Sequence, residues 1–423
     1  MRDDEQALLG ALVLDGRKAL ELDLTADQFS TEDGRQIWQA VVRVASKGMT
    51  VDPMLIGEEI GDTTAAARIA NGAGAGSNVQ HYADSIRKAA RLRRIAQAAS
   101  SALNAANETG ADPDTIADDL MGAMSETASG SDTWDMESLM DDFLSQWEQA
   151  KQSHAAGEVQ GIRTGWSAVD RMLNGLRGGR LYVLGARPKM GKTSFALALQ
   201  HNAARSGCRV GFASAEMSAR ECASRWVAAA AGVDTTVLQT GKGTPGDDHR
   251  IREAQNRLRT LPIYTLDRAG VSPARIRRQC MAWKQRYGLD LLVVDYLQRL
   301  KPDEAGDRRD LTVGAMARAF KTAARDLDIP VVLLAQLSRD LEHRPDKRPM
   351  PSDFRDSGEI EQEADVIAFL YRDWIYNDRA DPNEAEILVR GNRHGSSGKA
   401  TLRFEPEFQR WLDRDMADYE EVA

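Results

Sequence analysis

The stretch of this chain that most clearly predicts chemistry is GARPKMGKTS, residues 185–194. A glycine-bearing loop that ends in Gly-Lys-Thr can wrap phosphate oxygens with its backbone N–H groups. The usual pattern also starts with a glycine, at the position that Ala186 takes here, whereas this chain has its glycine one place earlier, at Gly185. The spacing predicts a nucleotide clamp in which a small alanine replaces the first glycine.

Two residues of this loop would make the direct contacts. Lys192 is predicted to hold the β- and γ-phosphates of ATP, and Thr193 to place its hydroxyl on Mg²⁺. The loop follows the predicted strand LYVLG and leads into the predicted helix SFALALQHNAA, which is the context that such a loop requires. The residues predicted to bind the nucleotide are Ala186, Arg187, Pro188, Lys189, Met190, Gly191, Lys192, Thr193 and Ser194.

Polar residues at the ends of later apolar runs are candidates for the remaining roles in hydrolysis. Asp295 ends LLVVD and would hold the water shell of Mg²⁺; the alternative is an aspartate in a turn after the strand. Glu216 follows RVGFAS and would align or deprotonate the attacking water, or else lie solvated in a loop. Gln336 ends VVLLAQ and would sense the γ-phosphate, or else cap the next helix.

The elements that must position these residues follow an alternating pattern from about residue 160 onward. Short apolar runs, separated in the early part by helical segments, predict an α/β domain with a mainly parallel sheet covered by helices. The predicted strands are LYVLG (181–185), RVGFAS (209–214), PIYTL (262–266), LLVVD (291–295), VVLLAQ (331–336), VIAFLY (366–371) and EILV (386–389).

The first part of the chain, residues 1–108, is predicted to be an all-α domain. EQALLGALVL and RQIWQAVVRVA place apolar residues at helical spacing. The glycine-rich segment 71–78 follows no predicted strand, so a helix–helix loop is favoured over a dinucleotide site.

Residues 109–159 are predicted to form a linker that contains one isolated helix, residues 134–150. Its apolar stripe must pack in a groove, either on its own core domain or on another subunit. The α/β domain would cover residues 160–412. The acidic tail, 413–423, is predicted to fray, with docking to a partner as the alternative. The stripe consists of Leu139, Met140, Phe143, Leu144 and Trp147.

Composition sets limits on the class of protein. The chain has 423 residues, 42% hydrophobic and 28% charged, and no apolar run approaches the ~18 residues of a membrane span. Its acidic start lacks the features of a signal peptide, so a cytoplasmic location is expected. The cysteine and histidine spacings predict neither a disulfide framework nor a structural metal. A net charge of −9 argues against a broad basic face for duplex DNA, but not against a narrow basic channel.

Several longer motifs resemble the DnaB family of replicative helicases, whose motor has the RecA-like P-loop fold. They are GARPKMGKTSFAL, SAEMS, VVDYLQ, LLAQLSR, DKRPMPSDFRDSGEIEQEAD and GNRHG. The family also has alanine at the first position of the phosphate loop, which places Ala186 in register. The resemblance implies a homohexameric ring that uses ATP and Mg²⁺ to translocate 5′ to 3′ on single-stranded DNA, with a primase and a helicase loader as partners. It matches helix 134–150 to a linker helix that docks on the neighbouring subunit.

The resemblance also assigns residues. Glu216, Asp295 and Gln336 match the catalytic glutamate, the Mg²⁺-linked acid and the conformational sensor of the family. Arg393, in GNRHG, matches the arginine finger that reaches the neighbouring subunit's γ-phosphate. The family has a lysine two residues before the finger, where this chain has Gly391. Arg390 is adjacent, but regular strand alternation would point it to the opposite face.

For DNA, the segment FRDSGEIEQEAD matches the central loop of the family ring. Arg355, Asp356 and Gly358 are predicted to contact the phosphate backbone, with Asp356 in place of the usual glutamate. Arg308 and Arg309 would line the same channel, or else belong to an exposed basic loop. One arginine from each of six subunits gives a basic path without a basic protein.

Two other classes of function are weighed against the helicase. A strand-exchange or regulatory ATPase of the same fold would be expected to carry a short polymerisation motif and not this N-terminal domain. A catalytically inactive binding module would not need the whole hydrolytic set. The helical N-terminal domain, the linker helix and DFRDSGEIEQ favour the helicase.

Overall fold

The computed structural model describes residues 3–12, 18–22, 24–62, 78–126, 135–302, 309–354 and 357–414. The chain divides into two compact units, residues 1–140 and 141–423. The domain boundaries derived from the sequence stay predictions. Within the described part of the chain, no helix combines the length and the apolar content needed to cross a membrane.

The described part of the first unit is helical, as predicted. Its helices are α1 (Asp3–Leu12), α2 (Lys18–Glu21), α3 (Glu32–Ser46), α4 (Pro53–Ile60), α5 (Val79–Ala106) and α6 (Pro113–Glu126), with a 3₁₀ turn at Ala26–Gln28. Most of the glycine-rich segment 71–78 lies outside the described residues.

Helix α3 illustrates how this unit forms its core. Thr31 accepts a hydrogen bond from the backbone N–H of Gly34 at 3.2 Å, which satisfies a free donor at the start of the helix. Apolar residues three and four apart then bury one face of the helix in the core of this unit. The predicted apolar positions that lie in this core are Leu8, Leu9, Leu12, Ile37, Trp38 and Val41.

Helix α7 (Met136–Ala155) matches the predicted linker helix from residue 136 to residue 150, and none of its residues is buried. The predicted apolar stripe is exposed by 41 to 57% at Leu139, Met140, Phe143, Leu144 and Trp147. A contiguous apolar surface of this kind marks an interaction site. The surface that covers this stripe stays a prediction.

The second unit contains one large sheet. Its strands are β1 (Leu181–Ala186), β2 (Val210–Ser214), β3 (Ile263–Asp267), β4 (Leu291–Asp295), β5 (Val331–Gln336), β6 (Val366–Tyr371), β7 (Glu384–Asn392), β8 (Gly398–Glu405) and β9 (Arg410–Asp413). Its helices are α8 (Ser167–Leu173), α9 (Lys192–Arg205), α10 (Ala219–Ala231), α11 (Thr235–Thr240), α12 (Pro245–Leu258), α13 (Pro273–Tyr287), α14 (Arg309–Leu327) and α15 (Ser357–Glu363). Short 3₁₀ turns lie at Leu297–Arg299, Arg339–His343, Pro351–Asp353 and Asp373–Ile375.

The strand order is β3-β2-β4-β5-β1-β6-β7-β8-β9. The first six strands of this order pair in parallel with their neighbours. Strands β7, β8 and β9 extend the sheet by antiparallel pairs. Every residue of β1, β2 and β4 is buried, as expected for parallel strands covered on both faces. The prediction of an α/β domain with a mainly parallel sheet is confirmed.

Strands β8 and β9 were absent from the sequence prediction. In β8, the buried residues Ala400, Leu402 and Phe404 alternate with more exposed ones, which is the period of a strand. Residues 415–423, most of the predicted acidic tail, lie outside the described residues, and Asp413 is the last residue of β9.

The parallel strands bring the predicted chemistry to one edge of the sheet. At their carboxyl ends, Ala186 of β1 lies beside Gln336 of β5, and Ser214 of β2 lies beside Asp295 of β4. Ligands of open α/β sheets bind outside the carboxyl ends of the strands. The candidate site is therefore at this edge.

Candidate functional site

The phosphate loop spans the gap between β1 and α9. Lys189 and Gly191 have φ angles of 70° and 91°, the left-handed region that turns the chain sharply into the helix. A Cβ atom at Gly191 would lie 2.9 Å from Trp411 and would be strained at this φ. Glycine is therefore required next to the lysine, as the motif implies.

The displaced glycine at the start of the motif has a structural explanation. Ala186 is the last residue of β1, 1% exposed, and its carbonyl accepts a hydrogen bond from the backbone N–H of Leu337 at 3.2 Å. A Cβ atom at Gly185 would lie 2.8 Å from the side chains of Leu337, Phe354 and Phe369. Gly185 thus serves the packing of the strand, and the loop begins after Ala186.

Lys192, Thr193 and Asp295 form the centre of the site. The Thr193 hydroxyl donates a hydrogen bond of 2.6 Å to Asp295 Oδ2, and Lys192 Nζ lies 3.2 Å from Oδ1 of the same carboxylate. Burial lowers the pKa of Lys192, while the attraction of Asp295 opposes that shift. Tyr296, which follows Asp295, places its ring centre 3.5 Å from Lys192 Nζ.

Lys192, Thr193 and Tyr296 border a cavity of about 430 Å³, whereas Asp295 is fully buried and is not among its described lining residues. The predicted residues on its wall include every member of the loop segment except Met190, which is buried, together with Glu216 and Gln336. Glu216 is exposed, and its negative charge opposes the lowering of the Lys192 pKa by burial, as that of Asp295 does more strongly. The described lining residues are Ala186, Arg187, Pro188, Lys189, Gly191, Lys192, Thr193, Ser194, Glu216, Arg225, Tyr296, Gln336, Arg372, Phe404, Pro406 and Gln409.

The backbone of Gln336 is held by a second glutamine. Gln298 accepts a hydrogen bond from the Gln336 N–H at 3.0 Å and donates one to the Gln336 carbonyl at 3.2 Å. Because both backbone groups are satisfied by Gln298, the end of β5 is fixed where Gln336 lines the cavity. Such an arrangement suits a group that reports on a bound phosphate.

Arg187 belongs to the predicted nucleotide-binding segment, but its guanidinium is engaged elsewhere. It donates to the Leu337 carbonyl at 2.9 Å and to Glu342 Oε1 at 2.9 and 2.7 Å. These contacts fix the first part of the loop against the segment that follows β5. The side chain of Arg187 therefore supports the loop, and its role in nucleotide binding stays a prediction.

Sequence reasoning missed Arg372 and its aromatic neighbour. Arg372 is 4% exposed and donates to the carbonyls of Pro382 at 2.7 Å and Lys189 at 3.4 Å. Its guanidinium lies 4.7 Å from the ring centre of Phe404. Burial lowers the pKa of Arg372. In the sequence, Arg372 is a single arginine directly after the predicted strand VIAFLY. It could not be identified as a site residue without knowing that β8 places Phe404 beside it.

Arg393 lies in the turn between β7 and β8 and is exposed. It is absent from the described residues that line the cavity. Its guanidinium donates to the carbonyl of Gln362, and its N–H donates to the Asp365 carbonyl at 3.0 Å. Its exposed position outside the chain's own cavity leaves it available to a neighbouring site.

Arg390 is the extra residue of a β-bulge. Opposite β7, Ile367 pairs with Gly391 whereas Ala368 pairs with Val389, so the register shifts by one residue. An extra residue of this kind interrupts the alternation of side chains and re-aims them. Regular alternation therefore does not hold at Arg390, which is exposed beside the turn that contains Arg393, and its role stays a prediction.

The predicted DNA contacts are only partly described. Arg308, Arg355 and Asp356 lie outside the described residues, and Arg309 is described only as the first residue of α14. Gly358 is exposed in the first turn of α15, where an added Cβ atom would meet no atom within 4 Å. The DNA roles of these five residues stay predictions.

A phosphate loop at the carboxyl edge of this sheet, with an acid and a glutamine on neighbouring strands, defines an ATPase of the RecA-like class. The sequence matches the DnaB-like helicase C terminal domain over residues 161–413 and the DnaB-like helicase N terminal domain over residues 1–88. The chain therefore belongs to the DnaB-like helicase family and is an ATP-dependent DNA helicase.

Individual relatives agree with this assignment. The chain is 33% identical over 424 residues to the Replicative DNA helicase DnaB of Geobacillus stearothermophilus, with 97% of this chain and 93% of that protein covered. A solved DnaB-like replicative helicase, described with its interactions with primase, matches at 26% identity and a TM-score of 0.74, covering 98% of this chain and all of the other. A solved ATPase domain matches at 32% identity and a TM-score of 0.63, and the match covers 66% of this chain and 99% of that domain.

Proposed function

We propose that this chain unwinds duplex DNA at the replication fork as a homohexameric ring that moves 5′ to 3′ along one strand. The observation that carries the proposal is the separation of Lys192 and Arg393. Lys192 lies in the cavity beside Thr193 and Asp295, whereas Arg393 is exposed and absent from the described wall of that cavity. A hydrolytic site that takes its finger from a neighbour requires an assembly of subunits.

Within one subunit, Lys192 binds the phosphates of ATP and Glu216 aligns the attacking water. Gln336 senses the γ-phosphate, since it lines the cavity from a fixed backbone. ATP must draw Lys192 away from Asp295, its present ion-pair partner. Breaking that pair on nucleotide binding frees the carboxylate for a metal ion.

The donor set of the site fits Mg²⁺. Thr193 and Asp295 offer a hydroxyl and a carboxylate, and Mg²⁺ prefers hard oxygen ligands of this kind. Thr193 and Asp295 would hold the ion, and the ion would neutralise charge on the phosphate oxygens during hydrolysis.

Between subunits, two features support ring assembly. Arg393 would reach the neighbouring ATP and stabilise the charge that develops during phosphoryl transfer. The apolar stripe of α7, exposed at Phe143 and Trp147, would dock on a neighbouring subunit. A ring with heterologous contacts uses both surfaces in every subunit.

The DNA strand would pass through the ring, where Arg355, Asp356 and Gly358 contact its phosphates. Arg308 and Arg309 would line the same channel. A primase is a proposed partner because a solved relative was described with its interactions with primase. A helicase loader is proposed on the resemblance alone. A helicase at a bacterial fork works in the cytoplasm, where the DNA lies.

The alternative, a strand-exchange or regulatory ATPase, lacks a role for the helical first unit and the exposed stripe of α7. Strand separation on forked duplexes tests the proposal. We expect ATP-dependent unwinding that is lost when the 5′ tail is blocked and kept when the 3′ tail is blocked. Loss with the 3′ block alone would reverse the proposed direction, and DNA-stimulated hydrolysis without separation, even with a loader, would favour the alternative.

A further inference from the structure

Asp365 is a buried carboxylate beside the turn between β7 and β8, which contains Arg393. It directly precedes β6 and is 4% exposed. A carboxylate at such depth is stable only when its charge is paired and its oxygens accept hydrogen bonds. The partners of Asp365 therefore identify the elements that it holds together.

Two partners belong to β1 and α14. The N–H of Leu181, the first residue of β1, donates to Asp365 Oδ2 at 2.7 Å. Lys321 Nζ, on α14, donates to the same oxygen at 2.7 Å and to the Gly179 carbonyl at 2.9 Å. Asp365 thus fixes the start of the strand whose other end leads into the phosphate loop.

The other partners belong to the turn that presents Arg393. The Arg393 N–H donates to the Asp365 carbonyl at 3.0 Å, and His394 Nε2 lies 3.6 Å from Asp365 Oδ1. The Arg393 guanidinium also donates to the carbonyl of Gln362, three residues before Asp365. The segment 362–365 therefore holds the finger by its backbone and by its side chain.

The charge of Asp365 is maintained despite its burial. Burial alone would raise the pKa of this carboxyl, but the hydrogen bonds from Lys321 and from the Leu181 N–H hold the pKa below its ordinary value. The group is therefore a carboxylate at neutral pH. It pairs with Lys321 on one side and lies 3.6 Å from His394 Nε2 on the other.

We propose that Asp365 is a positioning residue for hydrolysis, which sets Arg393 for its action on the ATP of the neighbouring subunit. The inference rests on the proposed function, because it requires a finger that works between subunits. A finger acts by placing charge where charge develops in the transition state, so its position is decisive. Asp365 itself is absent from the described wall of the ATP cavity, and it acts through Arg393.

The first test is the full-length Asp365→Asn variant, which keeps the size of the side chain and removes its charge. A misplacement of ~1 Å in a reacting group costs on the order of 100-fold in rate, so we expect a loss of that size in DNA-stimulated ATP turnover. ATP affinity should stay near that of the parent. Asp170→Asn is the matched control, because Asp170 is also buried but accepts hydrogen bonds from Thr164 and Gly165.

Subunit mixing separates a displaced finger from damage to the chain's own site. Asp365→Asn and Lys192→Ala chains are reassembled into rings in equal amounts. The Lys192→Ala chain cannot hydrolyse ATP but has an intact finger. Hydrolysis should therefore recover at each Asp365→Asn site whose finger comes from a Lys192→Ala neighbour. In a randomly mixed ring this is about a quarter of the interfaces. A second mixture, with Arg393→Ala, should show no recovery, because neither chain then has a working finger.

Recovery in the second mixture but not in the first would overturn the proposal, since Asp365 would then serve its own ATP site. Full turnover of Asp365→Asn alone would overturn it as well. A reference mixture of Lys192→Ala with Arg393→Ala tests the trans finger separately, and its failure to recover would reject the proposed function and the role of Asp365 together. If Asp365→Asn does not fold, the exposed His394→Ala variant replaces it, with the same expected pattern and a smaller loss.

Discussion

Trp411 Nε1 donates a 3.1 Å hydrogen bond to Ser194 Oγ, and Ser194 in turn donates a 2.9 Å hydrogen bond to the Gly191 carbonyl. Trp411 lies in β9, near the end of the chain, while Ser194 lies in the first turn of the helix that follows the phosphate loop. The last strand of the sheet thus supports the loop that grips the phosphates.

Replacing Trp411 by phenylalanine keeps the ring against Phe404 but removes the donor. We expect a loss of about 1 kcal/mol in the free energy of unfolding, the usual value of a hydrogen bond. The Michaelis constant for ATP should rise, because Ser194 then lacks the hydrogen bond that fixes it beneath the loop. Urea unfolding and steady-state hydrolysis measure the two effects.

Trp226→Phe is the matched control for this change. The Trp226 indole donates to the Leu197 carbonyl at 3.0 Å, on the same helix α9 but away from the loop. This variant should lose similar stability without the change in Michaelis constant. Equal Michaelis constants for ATP in the two variants would show that the Trp411 hydrogen bond does not support the phosphate loop.

Lys192→Ala should abolish hydrolysis and unwinding and leave the ring assembled. The lysine side chain supplies the charge for the phosphates, whereas assembly depends on other surfaces. Turnover by coupled assay and mass by light scattering provide the two readings. Unchanged turnover would reject the assignment of the site.

The affinity for ATP should fall as the pH rises. The fall should begin at a lower pH than the ordinary lysine pKa of about 10.4 would give. Burial lowers the pKa of Lys192, so in the free protein its proton is lost at a lower pH than usual. Binding of phosphates requires the charged form, and high pH therefore opposes binding. Titration of ATP affinity from pH 7 upward, with Lys192→Arg as a control that stays charged, measures the effect.

Arg393→Ala should bind ATP almost normally and hydrolyse it poorly. A finger supplied by a neighbour contributes on the order of 10³ to 10⁵ in rate, so the loss should fall mainly on kcat. The comparison is made with assembled rings, and Arg390→Ala is the matched variant of the same turn. Full activity of Arg393→Ala with a loss in Arg390→Ala would move the finger to the bulge.

Arg355→Ala should lose the stimulation of hydrolysis by DNA and keep the basal rate. Removal of this arginine should also lower the salt dependence of DNA binding, by roughly one unit of slope for each phosphate that is no longer neutralised. Hydrolysis with and without a single strand, at several salt concentrations, measures both. Retained stimulation would shift the DNA contact to Arg308 and Arg309.

The central part of the site was predictable from the sequence, for a physical reason. Lys192, Asp295, Glu216 and Gln336 each follow an apolar run, and the carboxyl ends of parallel strands meet at one edge. Local order along the chain was therefore enough to bring them together. Tyr296 lies directly after Asp295, so it could have been included on the same argument.

The rest depends on relationships between distant segments. Arg372, Phe404 and Trp411 reach the site from strands whose neighbours are decided by the topology of the whole sheet, and two of those strands escaped prediction. The orientation of Arg390 depends on a bulge that only the pairing of β6 with β7 shows. The stability of Asp365 depends on Lys321, 44 residues earlier.

A single strand, β6, separates β1, which leads into the phosphate loop, from β7, which leads to Arg393. In the proposed ring, each chain therefore contributes to the ATP that it holds and to the ATP of its neighbour. A gene copy that encodes a chain without Arg393 would harm the subunits beside its product. Expressed together with the normal copy, such an allele would remove one working ATP site for each of its subunits, and many of the lost sites would lie in normal chains.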